Sequence, residues 1–192
     1  PQPLQGIDAA DVGAARRRVM AELERVLEET DAAGLAAFED ELLRAKRIFV
    51  HAAGRSALAL RMAAMRWMHL GLTVHVVGDV TTPAIVAGDV LVLASGSGRT
   101  AGVVRAAEQA RAAGAKVAAV TTDAASTLAT LADRHLLLPA AAKQAERTRS
   151  VQYAGSLFEQ AVLMIFDIAF EALRESHSLD AAELWQRHAN LE

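Results

Sequence analysis

The run Ser95-Gly96-Ser97-Gly98-Arg99-Thr100 sets three hydroxyls, two glycines and an arginine between two different patterns. Before it lies the apolar segment Val90 to Ala94, and after it apolar residues recur at helical spacing (Val103, Val104, Ala107, Ala110). This is a strand handing over to a helix. Glycines let the backbone turn its N–H groups inward, and the helix presents unpaired N–H groups and the positive end of its dipole, so the loop suits an anion. A phosphate monoester is the simplest guest, because its terminal oxygens accept several charge-assisted bonds, each worth roughly 1.5–3 kcal/mol. Two other readings stay open. Gly96, Gly98 and Ala101 fit the dinucleotide pattern G-x-G-x-x-G/A, with Asp123 at about the distance of a ribose-binding acid. That pattern normally opens the first strand–helix unit and needs bare backbone where this loop has hydroxyls. The other reading is a Gly/Ser turn without a ligand. No G-x-x-x-x-G-K-S/T is present, which argues against a nucleoside triphosphatase.

Other residues could share in the chemistry. Arg55 and Ser56 follow an earlier strand as the hydroxyl loop follows its own, so the two corners can face each other; alternatively Ser56 only caps the next helix. Glu159 is a candidate for proton transfer near the start of a long helix. Ser156-Leu157-Phe158-Glu159 also satisfies the capping box S-x-x-E, in which the carboxylate merely bonds the cap's N–H. The six histidines show neither H-x-x-x-H nor H-E-x-x-H spacing, which argues against a metal site. His69 suits a helix carbonyl end. His188 lies in the terminal stretch, where a disordered end is the ordinary reading.

The elements that must position these groups emerge from patterning. Helices are expected over Asp8 to Glu29, with Val12, Ala15, Val19, Leu23, Val26 and Leu27 as its stripe, and over Ala32 to Ala45. The first precedes the sheet and is expected to pack on another subunit. Strands follow at Arg47 to Ala52, Thr73 to Val77, Val90 to Ala94, Lys116 to Thr121 and His135 to Leu138, with helices between them. Five strands alternating with helices imply a parallel α/β sheet covered on both faces, a three-layer sandwich. In the flavodoxin-like order 2-1-3-4-5 the third strand's loop sits at the switch point, where ligands bind. Residues 140–152, with Lys143, Arg147 and Arg149, read as a lid. Tyr153 to Glu175 reads as a long amphipathic helix, and a last helix runs from near Asp180 to His188.

With 192 residues and 53% hydrophobic side chains, one domain with a substantial core is expected. A formal charge of −3 and 4% aromatics argue against nucleic-acid binding. There is no cysteine for a disulfide or thiolate site, and no apolar run approaches the ~20 residues of a membrane span. No signal peptide is recognisable, so the cytoplasm is the expected location.

The hydroxyl loop resembles others when taken with Met65-Arg66-Trp67-Met68-His69-Leu70-Gly71, Thr81-Thr82-Pro83-Ala84-Ile85, the block Gln152 to Gln160, and Arg187-His188-Ala189-Asn190-Leu191. From about Arg47 to Glu192 the chain is similar to the 6-phospho-3-hexuloisomerase family of the sugar isomerase (SIS) domain superfamily. The resemblance implies a cofactor-free isomerase interconverting D-arabino-3-hexulose 6-phosphate and fructose 6-phosphate through a cis-enediol, in the ribulose monophosphate route of formaldehyde handling. It implies a tetramer built from dimers, working alongside 3-hexulose-6-phosphate synthase. It further implies phosphate held by Ser95, Ser97 and Thr100 with Ser56 beside them, Glu159 as base, and His188 reaching a neighbouring subunit's site. Arg55 or His188 would serve as donor to the enediolate. Ala52 and Ala57 depart from the family's usual glycines, which weakens the Arg55 and Ser56 assignments. A non-catalytic sugar-phosphate-binding regulatory module and a related sugar-phosphate isomerase are the alternatives.

Overall fold

A computed structural model describes residues 6–140 and 150–191. Two helices, α1 (Ala9–Glu29) and α2 (Ala32–Leu43), precede an alternating core. The core runs β1 (Ile48–Ala52), α3 (Gly54–His69), β2 (Val74–Val76), β3 (Val90–Ala94), α4 (Ala101–Ala112), β4 (Lys116–Thr121), α5 (Thr127–Leu131) and β5 (Arg134–Leu137). The helices α6 (Ser156–Ser176) and α7 (Ala181–Trp185) follow. All strand pairings are parallel, in the expected flavodoxin-like order β2-β1-β3-β4-β5. Of the 140–152 segment read as a lid, residues 141–149 lie outside the described residues.

Uniformly apolar strands carry the sheet because both faces are buried. Ile48, Val50, Val90, Val92, Ala118 and Val120 face one layer with α1, α2, α3 and α6, whereas Phe49, Leu91, Leu93, Val117 and Ala119 face α4 and α5. In the first layer Trp67 meets Phe166 edge-on at 5.0 Å between centroids, and Phe38 lies 5.8 Å from Phe166. Because β1 leads to β2 on one side and β3 to β4 on the other, right-handed crossovers send α3 and α4 to opposite faces. A crevice opens between their starting points, above the adjacent ends Ala52 and Ala94.

Several expectations need correction. α1 docks within its own chain through Leu23 and Val26, while Val12 on the expected apolar stripe is half exposed. That stripe is continuous only over the second half of the helix, where α6 lies beside it. α6 starts at Ser156 rather than Tyr153, because Ala154 turns the chain at φ +52. α7 ends at Trp185, three residues short of His188.

One core group is unusual. Glu39 on α2 is 4% exposed and accepts from Trp67 Nε1 at 3.1 Å, while its Oε1 has no partner among the described residues. Burial, opposed by the Trp67 bond, pushes its pKa up to about 7. The folded state therefore holds a proton that the unfolded chain releases near 4.5, so stability falls as pH rises between those values. Glu39→Gln keeps an acceptor for Trp67 and removes the titration. Urea denaturation at pH 5 and pH 8 is expected to show the parent losing ~1–3 kcal/mol more than Glu39→Gln across that interval; parallel slopes would refute this.

Candidate active site

Four helices of the described chain have a side chain over their first turn: Asp8 bonds Asp11 N, Asp31 bonds Ala33 N, Ser126 bonds Ala129 N and Asp180 bonds Ala182 N. Three do not. The positions preceding α3, α4 and α6 are Ala53, Thr100 and Gly155, and none makes a side-chain cap bond. All three line one open cleft above the switch point. Three positive dipole ends and their N–H groups thus point toward a common region, which favours an anion.

The hydroxyl loop forms one wall. Ser95, at the end of β3, and Thr100 share a hydrogen bond of 2.9 Å, and Ser97 Oγ accepts from Arg99 N at 3.3 Å. The loop's shape is imposed by β4, which sequence reasoning overlooked. Gly96 O accepts from Thr122 Oγ1 at 2.8 Å and from Thr121 Oγ1 at 3.3 Å, so that carbonyl is turned toward β4. Gly98 sits at φ +59, and a Cβ there would lie 2.1 Å from Ser126 Oγ. The adjacent threonines closing β4 are the signal for this buttress, since they end at the same sheet edge as Ser95.

The opposite wall comes from α3 and α6. Ser56 is buried in the first turn of α3 and faces the cleft; it does not cap the helix. The capping box is absent too, because Ser156 Oγ donates to Tyr153 O. Glu159 is 8% exposed, lines the cleft, and accepts from Arg55 Nε at 2.5 Å. A buried carboxylate needs such a partner. Phe158 covers Gly96, 3.4 Å from where a Cβ would stand. Arg99 pairs with Asp123 at 3.1 Å, so the acid that the dinucleotide pattern would use already has a partner.

Residues 41–164 match the family model described as the SIS domain. This chain belongs to the SIS domain family. The curated "3-hexulose-6-phosphate isomerase" of Mycobacterium gastri is 53% identical over 165 residues, covering 85% of this SIS chain and 83% of the relative. A Bacillus subtilis protein of the same name is 36% identical over 80% of the chain and 84% of its own length. A crystal structure from Methanococcus jannaschii superposes with a TM-score of 0.79 at 28% identity, covering 93% of this chain and 99% of that one. Its description infers a molecular function of 3-hexulose-6-phosphate isomerase.

Of the residues singled out in this SIS chain, Ser56, Ser95, Ser97, Thr100 and Glu159 line the cleft, and Arg55 joins them through Glu159. His188 does not. Its Nδ1 lies 3.3 Å from His69 Nε2 at the far end of α3, about 20 Å along the helix from Ser56 at 1.5 Å per residue. Its ring also stacks on Trp185 at 4.4 Å. Burial, then the charges of His188 and Arg66, lower the pKa of His69. Among the described residues no group of three or more His, Asp or Glu side chains could hold a metal ion.

Gly98→Ala tests the loop's dependence on β4. The added Cβ requires the loop or Ser126 to move, so an unfolding free energy lower by ~2 kcal/mol or more is expected from chemical denaturation. A change below ~0.5 kcal/mol would show that the contact is easily relieved.

Proposed function

We propose that this chain is an isomerase that interconverts D-arabino-3-hexulose 6-phosphate and D-fructose 6-phosphate through a cis-enediol. The observation that carries the reading is a buried, arginine-paired carboxylate in the same cleft as a hydroxyl loop served by three uncapped helix starts. The name shared by the Mycobacterium gastri and Bacillus subtilis relatives supports the choice of substrate.

The phosphate is assigned to Ser95, Ser97, Thr100 and the N-terminal turn of α4, with Ser56 beside it. Binding energy from this remote group holds the reacting carbons in place. Glu159 takes the proton from C2 of the 3-ketose; the C2–C3 double bond forms as the electrons move to O3, giving the enediolate. The hydroxyl proton passes from O2 to O3, and Glu159 returns its proton to C3 as the carbonyl re-forms at C2, which completes fructose 6-phosphate. One carboxylate on one face serves both transfers, a role worth about 10²–10⁴-fold. Arg55, on the rim, is the donor placed to stabilise the enediolate oxygen.

The same reading treats residues 1–192 as one SIS domain working in the cytoplasm as a tetramer of paired dimers, supplied by a 3-hexulose-6-phosphate synthase. Exposed Ile7, Val12 and Met20 on the first helix and its lead-in, and Leu58, Met62 and Met65 on one stripe of α3, support assembly. His188 then serves as a catalytic group in a neighbour's cleft, since its own is about 20 Å away along α3.

Glu159→Gln separates catalysis from binding. A coupled assay of fructose 6-phosphate formation is expected to show kcat lower by about 10²–10⁴-fold, with phosphosugar affinity changed by less than about threefold. Retention of kcat within about tenfold would remove Glu159 as the base. Phosphosugar binding without turnover by the parent chain would leave a regulatory module instead.

A further inference from the structure

Glu22 lies on α1, away from the cleft, yet its carboxylate gathers three hydrogen bonds from one short segment. Ser150 Oγ donates to Oε2 at 2.8 Å and Gln152 Nε2 donates to the same oxygen at 3.0 Å, while Val151 N donates to Oε1 at 2.7 Å. The segment is also closed on itself, because Gln152 N donates to Ser150 Oγ at 3.0 Å. Partial burial raises the Glu22 pKa, but the Val151, Gln152 and Ser150 bonds and the charge of Arg25 outweigh it, and the net shift is downward. The acceptor is therefore ionised at neutral pH, which strengthens each bond. Attachment of α1 to the core does not require them, since Leu23 and Val26 already bury against the layer that holds α6.

The segment leads directly into the catalytic wall of the cleft. Two residues after Gln152 the chain passes through Ala154 at φ +52, the left-handed region that a side chain with a Cβ disfavours by ~1–2 kcal/mol. Gly155 then opens α6, and Glu159 stands in its first turn. A strained turn persists where its surroundings over-determine it. Downstream that constraint is the packed helix, with Leu157, Phe158 and Ala161 buried. Upstream it is Glu22.

We infer that Glu22 is a positioning residue for Glu159: its three bonds pin residues 150–152 against α1 and so fix how the chain enters α6 and where the Glu159 carboxylate stands over the cleft. The inference rests on the isomerase reading of that cleft. Glu22 acts through the backbone, while the phosphate-binding loop hangs from β3 and β4. Its removal should therefore act on the chemical step more than on phosphosugar binding.

The experiment measures kcat, KM and Tm for the full chain, Glu22→Ala, Gln152→Glu, the double variant Glu22→Gln with Gln152→Glu, and Val26→Ala as a packing control on the same helix. Glu22→Ala is expected to lower kcat about 10- to 100-fold with KM within about threefold, because small displacements of a reacting group carry penalties of that size. Val26→Ala should lower Tm at least as far while keeping kcat within about threefold. The double variant reverses the polarity of the side-chain pair: the amide now on α1 donates to the carboxylate now on the segment, and its carbonyl still accepts from Val151 N. It should recover kcat above Gln152→Glu alone, in which two carboxylates face each other. If Glu22→Ala does not fold, the comparison between Gln152→Glu and the double variant decides. A Glu22→Ala kcat within about threefold of the parent, an equal kcat loss in Val26→Ala, or no recovery in the double variant overturns the positioning role alone. No turnover by the parent chain overturns the isomerase reading and this inference with it.

Discussion

The site depends on three helix beginnings that the chain does not cap. Backbone N–H groups at a helix start must find partners, and elsewhere this chain provides Asp8, Asp31, Ser126 and Asp180 for the purpose. Leaving out such a cap typically costs ~1 kcal/mol. The omissions fall only at α3, α4 and α6 among the described helices, and all three border the cleft. Parallel topology makes two of them unavoidable neighbours: a crossover helix starts where its strand ended, and β1 and β3 end side by side. α6 is brought to the same place by packing against α3.

Charge at the cleft is arranged to let one acid sit beside an anion site. Glu159 is nearly buried and its own helix start is favourable to negative charge, while Arg55 neutralises it from the rim. Arg55 is 65% exposed, so water screens the pair and the guanidinium stays accessible to a ligand in the cleft. Glu39 shows what the same fold does to an acid without such company. Buried with only the Trp67 N–H, it is driven toward its neutral form.

The loop that would hold phosphate is shaped from outside itself. Thr121 and Thr122 turn the Gly96 carbonyl toward β4, and Ser126 fills the space beside Gly98 so closely that only glycine fits. On the other side Phe158 covers Gly96. Side chains from β4, α5 and α6 thus decide what a Ser/Gly motif on β3 can bind.

Sequence alone determined the alternation of strands and helices, the layers and the place of the Ser/Gly corner at the end of its strand. Unbroken apolar runs in Val90 to Ala94 and Lys116 to Thr121 can be stable only with both faces covered, and the Ser/Gly corner falls at the switch point of any sheet so ordered. Patterning is local, and these are local properties. Tertiary structure alone decided whether Glu159 closes a capping box with Ser156 or faces a cleft, because both outcomes satisfy the same spacing and the partner it takes is Arg55, 104 positions earlier. The bonds from Glu22 to residues 150–152, and the contact that keeps His188 beside His69, likewise join segments more than 100 residues apart. No periodicity encodes such pairings, since each depends on which surfaces the completed core brings together.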